Sequence, residues 1–187
     1  MNQKIKLRKR YFNLRKRKYY DIDKNFFLPF LKLIKMRIKK NPIKIALYYP
    51  ANFELNVFKL LEFNNIIAQD ILLPVIEKKN QMNFFSWKNN DVLFINKFGI
   101  PEPTQSFAKV PDVILVPILA FDRDKYRLGY GKGFYDRYLY KYLKKFKKIL
   151  TVGVAFSFQR HHKLPISKND IKLEFIITEK GIYWWTY

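Results

Sequence analysis

Residues 127–137 read Arg-Leu-Gly-Tyr-Gly-Lys-Gly-Phe-Tyr-Asp-Arg, a string of residue types suited to holding phosphate. Gly129, Gly131 and Gly133, three of the chain's six glycines, stand at every second position. Lacking Cβ, alternate glycines let backbone N–H groups converge on an anion. Lys132 adds a cation inside the turn, and Arg127 and Arg137 flank it, where phosphate oxygens would sit. A glycine triplet alone is equally a tight turn that needs glycine. The embedded lysine, the flanking arginines and the following Asp136 turn the reading towards phosphate.

Other residues could do chemistry beside such a loop. Asp136 and Asp170 are the acids best placed for a divalent cation, since Mg²⁺ prefers one or two carboxylates plus phosphate oxygens and water. Asp136 is equally an acid favoured by a helix N-terminus. Glu54 follows Tyr48-Tyr49-Pro50 at the end of a strand-like run, where open α/β sheets meet their ligands; it too could be a helix-start acid. Lys4, Arg8, Tyr11 and Arg15 fall on one helical stripe beside an apolar stripe through Leu7 and Leu14. Taken alone, that stripe is a solvated basic face. Trp87, near Met82, Phe84 and Phe85, offers a stacking surface for a flat heterocycle, or simply core. His161 and His162 have no metal-ligand spacing and receive no role.

The elements that must position these residues alternate in type. Residues 4–19 and Phe26 to Ile38 read as helices, the second with an early Pro29, and Leu55 to Phe63 as a third. Strand-like runs occur at Ile43 to Tyr49, Ile71 to Leu73, Val92 to Phe94, Val113 to Val116, Ile149 to Phe156 and Phe175 to Ile177. Tyr135, Leu139, Tyr142 and Phe146 lie at i, i+4, i+7 and i+11, one face of a helix after the glycine loop. The expectation is an α/β fold: a single-domain sandwich over residues 1–187, with a largely parallel sheet flanked by helices. Its glycine-rich phosphate loop should lie between strand and helix, presenting amide donors at a positive helix end.

Composition narrows the class. The longest apolar run, Val113 to Phe121, is nine residues and contains Pro117, far short of the ~20 that span a bilayer. We therefore expect no membrane span, no secretion and a cytoplasmic location. Zero cysteines exclude disulfides, thiolate metal sites and a cysteine nucleophile. The formal net charge of +22 invites a polyanion partner, but it is spread along the chain and accompanies many Lys, Asn, Ile, Phe and Tyr residues. We read it as base composition plus an anionic substrate, in a monomer with no specific nucleic-acid partner. The alternative is a basic RNA- or ribosome-associated module gripping backbone phosphate with the glycine loop.

The run from Val110 through Phe121-Asp122-Arg123 to Arg137 resembles the 5-formyltetrahydrofolate cyclo-ligase family, also called 5,10-methenyltetrahydrofolate synthetases. Lys4-x-x-Leu7-Arg8, Tyr48 to Glu54, Met82-x-x-x-x-Trp87, Gly99-Ile-x-Glu-Pro103 and the C-terminal Gln159, Leu164-Pro165, Asp170 and Thr178-Glu179 follow the family's order. The resemblance implies ATP-dependent closure of 5-formyltetrahydrofolate to 5,10-methenyltetrahydrofolate, with ATP as co-substrate and Mg²⁺. It implies that Lys4, Arg8, Arg127, Leu128, Gly129, Tyr130, Gly131, Lys132, Gly133, Phe134 and Tyr135 contact ATP, with Lys132 and Arg127 acting on the transferred phosphoryl group. Asp136 and Asp170 would hold the metal. Tyr49, Glu54 and Trp87 would face the folate, with the loop from Tyr130 to Phe134 lying between the two substrates. Two departures stand out: Lys125 where many members have glycine, and Asn169 where histidine is common before Asp170.

Overall fold

In the computed structural model, residues 3–40, 42–63, 68–145 and 149–183 are described. Five parallel strands form the centre of a seven-stranded sheet: β1 (Ile43–Ala46), β2 (Ala68–Ile76), β6 (Val113–Pro117), β9 (Leu150–Val154) and β10 (Phe175–Thr178). Antiparallel β3 (Met82–Ser86) and β11 (Gly181–Tyr183) close its two edges, giving the order β11-β10-β9-β6-β1-β2-β3. Renumbered by sequence, the parallel strands run 2-1-3-4-5, a doubly wound order whose connections reverse direction between β1 and β6. Loops leaving those two strands diverge there and open a crevice beyond their carboxyl ends.

Two apolar layers sandwich the sheet. Ile43, Ile45, Leu115, Val152 and Ile177 face helix α2 (Leu28–Arg37) through Phe30, Leu33 and Ile34. Ala46, Ile114, Val116 and Ile176 face helix α3 (Phe134–Lys145) through Tyr138 and Leu139. The alternation of sides along each strand is the period-2 geometry of β structure. Helix α1 (Gln3–Lys18) lies apart, packing Leu7 and Tyr11 on Leu119, Ala120 and Leu128. Two small hairpins complete the fold: β4 (Leu93–Ile95) with β5 (Pro101–Pro103), and β7 (Ala120–Phe121) with β8 (Arg127–Leu128).

The structure adjusts several expected elements. The strand expected to Tyr49 ends at Ala46, because the chain leaves the sheet at the reversal point; Leu47 N still donates to Leu72 O at 2.9 Å. The expected helix at 55–63 is a 3-10 turn, Val57–Glu62, started by Asn56 accepting from Phe58 N. Pro29 fits only a first helical turn, so α2 begins at Leu28 after a separate 3-10 turn, Lys24–Phe27. Strand β6 does not feed the glycine loop directly, since the β7–β8 hairpin intervenes. Phe146, expected on the α3 face, lies outside the described residues.

Candidate active site

The crevice at the β1–β6 reversal is a cleft of ≈ 410 Å³. Its floor is the loop after β1, with Tyr49 and Glu54. One wall is the glycine loop between β8 and α3, and the rim is the β4–β5 hairpin with Phe98. Of the residues that the family resemblance assigns to ATP, metal or folate, all but Trp87 line it; Tyr11, Arg15 and Arg137 do not.

The basic wall is built from both ends of the chain. Arg8 Nε of α1 donates to Gly129 O at 2.9 Å, and its guanidinium lies beneath Gly131, where a Cβ would come within 2.9 Å of Cζ. Gly131 has φ +94, a conformation that side chains with a Cβ avoid, so glycine is needed there twice over. Gly129 meets no such demand: a Cβ would find nothing within 4 Å. Lys4 Nζ donates to Asp170 Oδ2 at 2.5 Å and to Ser167 Oγ at 3.0 Å. Arg127 Nη2 donates to Asp136 Oδ1 at 2.6 Å, and Nη1 to Ile171 O at 2.6 Å. Burial pulls the Arg127 pKa down while the Asp136 carboxylate opposes that pull. Lys132 is exposed above the cleft, its ammonium 5.8 Å from the Phe98 ring centroid.

Asp136 and Asp170 are neighbours through the backbone, since Ile171 N donates to Asp136 Oδ1 at 3.2 Å. Asp170 Oδ2 also accepts Ser167 N at 2.7 Å. Among the described residues Asp136 Oδ2 and Asp170 Oδ1 take part in no hydrogen bond, and no group of three acidic, histidine or cysteine side chains is placed to cage a metal. Two carboxylates with open oxygens but no cage fit an Mg²⁺ ion that would take its remaining ligands from phosphate and water. Asn169, the departure beside Asp170, is exposed.

The opposite end is acidic and buried. Glu54, only 8 % exposed, accepts Ala51 N at 3.0 Å. Burial raises its pKa, against lowering contributions from the Arg15 charge and from hydrogen bonds with Ala51 N and the Tyr130 hydroxyl. Burial likewise raises the Tyr130 and Tyr135 hydroxyls, with the Glu54 charge adding to both. Tyr135 Oη is buried without a partner. Asn52 and Phe53, immediately before Glu54, both adopt left-handed backbone (φ 51 and 63), a strained pair at the cleft floor.

Trp87 sits elsewhere. It belongs to the core layer beneath α2, 6 % exposed, its ring stacked on Phe58 at 5.2 Å between centroids. At the end of β3 the next pleat points away from the cleft, and an aromatic there reads the same in sequence whichever way it faces. Phe98 was given no role from the sequence, yet its ring lies in the cleft against Phe134, 5.7 Å between centroids. The nearest signal was the neighbouring Gly99-Ile-x-Glu-Pro103 segment; its Glu102 anchors the hairpin by accepting Ile76 N at 2.9 Å and Asn96 Nδ2 at 2.6 Å. Two other quoted residues prove to be scaffolding. Asp122 accepts Asp124 N, Tyr126 N and Leu164 N, and Gln159 ties Ile118 O and Leu119 O to Phe156 N.

Lys125 adopts the left-handed backbone that favours glycine. Its φ is +65, and the turn closes through Lys125 N to Asp122 O at 3.1 Å.

A cleft with a carboxylate at one end and a glycine loop, four cations and two carboxylates at the other suits a ligand pair of which one is polyphosphate. Comparison with known proteins agrees. Residues 1–179 match the model of the 5-formyltetrahydrofolate cyclo-ligase family. The 5-formyltetrahydrofolate cyclo-ligase of Haemophilus influenzae is 32% identical over 150 residues, covering 76% of this chain and 78% of its own. That of Mycoplasma pneumoniae is 33% identical over 154 residues, covering 80% and 81%. The solved 5,10-methenyltetrahydrofolate synthetase of Aquifex aeolicus superposes with a TM-score of 0.73 at 30% identity, covering 97% of this chain and 92% of its own. The chain belongs to the 5-formyltetrahydrofolate cyclo-ligase family.

Proposed function

We propose that this enzyme closes 5-formyltetrahydrofolate to 5,10-methenyltetrahydrofolate at the expense of ATP, releasing ADP and phosphate. In the reaction the formyl oxygen attacks the γ-phosphorus and ADP departs. N10 of the folate then adds to the activated formyl carbon and gives up its proton, which leaves with the phosphate as the C–O bond breaks. No protein nucleophile is required; the task is to align the two substrates and offset moving charge. The observation that carries the reading is the single cleft joining Glu54 to the glycine loop, with Tyr130 to Phe134 between its two ends.

In our reading Lys4, Arg8, Arg127 and the loop through Tyr135 hold ATP phosphates, and Lys132 turns over the γ-phosphoryl group. Ionised Glu54 accepts hydrogen bonds from the pterin amino and ring N–H groups. Tyr49 and Phe98 offer apolar faces to its rings. Asp136 and Asp170 hold Mg²⁺, which neutralises phosphate charge when bound. Trp87 supports this floor from behind Phe58 rather than touching the pterin. We further read the protein as a cytoplasmic monomer without a specific nucleic-acid partner; among the described residues no helix is long and apolar enough to cross a membrane.

The test is direct. Purified protein with 5-formyltetrahydrofolate and MgATP should develop the near-ultraviolet absorbance of the methenyl product, and should fail without ATP or after chelation of Mg²⁺. A folded protein that yields no product would overturn the reading.

A further inference from the structure

Arg15 is the most deeply buried charge in the described structure, 1% exposed. It projects from the same helix as Lys4 and Arg8, two turns further on. Its Nη1 donates to Ile118 O at 3.2 Å, just beyond β6. Its Nη2 donates to Asn52 O at 2.7 Å and to the Tyr130 hydroxyl, and its Cζ lies 5.7 Å from the Tyr130 ring centroid. Nε is buried without a partner, and among the described residues no ion pair within salt-bridge distance involves Arg15. A guanidinium stripped of water with no contacting carboxylate is costly unless a charge nearby compensates it. The compensating charge is Glu54, which shares the Tyr130 hydroxyl with it.

We propose that Arg15 is a positioning residue for the folate end of the cleft. Its fork ties the phosphate loop, through Tyr130, to the strained loop at Asn52 and supplies the counter-charge to Glu54. Lysine could supply the charge but not the fork, because an ammonium cannot span three acceptors held on separate segments. The charged and titratable groups facing Glu54 are Arg15 from α1, Tyr130 from the glycine loop, Tyr135 from α3 and Tyr48 from the segment after β1. Arg15 is the cation among them acting on Glu54, and its removal leaves three phenols and a carboxyl with no positive partner. The identity of the ligand rests on the cyclo-ligase reading; the coupling of Arg15 to Glu54 does not.

Two measurements test it, one independent of turnover. A thermal-melt cycle of wild type, Arg15→Met, Glu54→Gln and the double variant should show coupling at pH 8 that vanishes at pH 4, where Glu54 is protonated. Equal coupling at both pH values, or none at either, would overturn the proposal whether or not wild type makes product. In the second, kcat/KM for 5-formyltetrahydrofolate is followed against pH. Arg15→Met should move the acid limb to higher pH and raise the folate KM about tenfold or more, with the ATP KM changed far less. Arg15→Lys should restore the limb but not the full kcat. An unmoved acid limb beside a lowered melting temperature would make Arg15 merely structural and sink the idea. If Arg15→Met does not fold, Arg15→Gln, which is uncharged but keeps a polar group near the position of Nε, gives the same readout.

Discussion

Lys132 takes part in no ion pair among the described residues, and its exposed side chain contributes little to the core. Lys132→Ala should therefore melt like wild type while losing roughly ten- to several-hundred-fold in kcat/KM for ATP, the scale of a lost charge-assisted contact. Steady-state kinetics with ATP varied, beside a melt, check this; wild-type kcat/KM in a folded variant would remove Lys132 from the mechanism. Gly131→Val should do more harm, because its side chain must displace the Arg8 guanidinium and adopt φ near +94. Glu54 carries the pH dependence. Its carboxyl titrates above the ordinary 4.5, and the form that accepts pterin N–H groups is the ionised one. As pH falls through that raised value the folate KM should climb, and Glu54→Gln should flatten the climb at uniformly weaker affinity. Folding responds in the opposite sense. A raised carboxyl contributes stability at low pH that is lost as pH rises through the folded value, so Glu54→Gln should gain melting temperature over wild type towards neutrality. The glycine loop was legible because glycine, lysine and arginine announce their use by type. The role of Arg15 was not: a basic stripe is the same in sequence whether it faces water or three converging loops.

Among the elements, helix α1 and strand β6 were found where expected. Helix α1 buries Leu7 and Tyr11 one turn apart, and β6 is a continuous buried apolar run. Strand β3 escaped notice because Phe84 and Phe85 are both buried, one on each side of the sheet, so the polar–apolar alternation fails. The β7–β8 hairpin is only two residues a side and has no period to read; it is held by Asp122. Asp122→Ala leaves three backbone N–H groups without their acceptor and should cost about 3 kcal/mol. Denaturant unfolding would show a lowered midpoint; no change would mean that water replaces the carboxylate. Lys125 strains the same hairpin in the opposite sense. Lys125→Gly should raise stability by about 0.5–1 kcal/mol, relief of left-handed strain less the added freedom of the unfolded glycine.

For the molecule as a whole, the excess charge is the feature least used by the site. A net +22 with six ion pairs among the described residues leaves most cations facing solvent. If composition is their origin, RNA binding should be weak, indifferent to sequence and lost steeply between low and physiological salt. Filter binding across a salt series decides it, and sequence-selective binding at physiological salt would show a second partner. The reversal of strand order at β1 and β6 was not readable from the strands one by one, because pairing order depends on contacts far apart in sequence.

The helix that brings Lys4, Arg8 and Arg15 to the cleft has a consequence for how the enzyme is made. Lys4 meets Asp170 across a sequence separation of 166 residues, and Arg15 meets Ile118 across 103. On a ribosome adding about 5–20 residues per second, α1 must wait on the order of ten seconds or more for its partners. Arg15 can meet Asn52 early, but Arg8 must wait for Gly129 and Lys4 for Asp170, so the growing chain can assemble its early strands but not its catalytic cleft. Activity is thus the last property a nascent chain acquires, and chains stalled before Asp170 should be folded in part and inert.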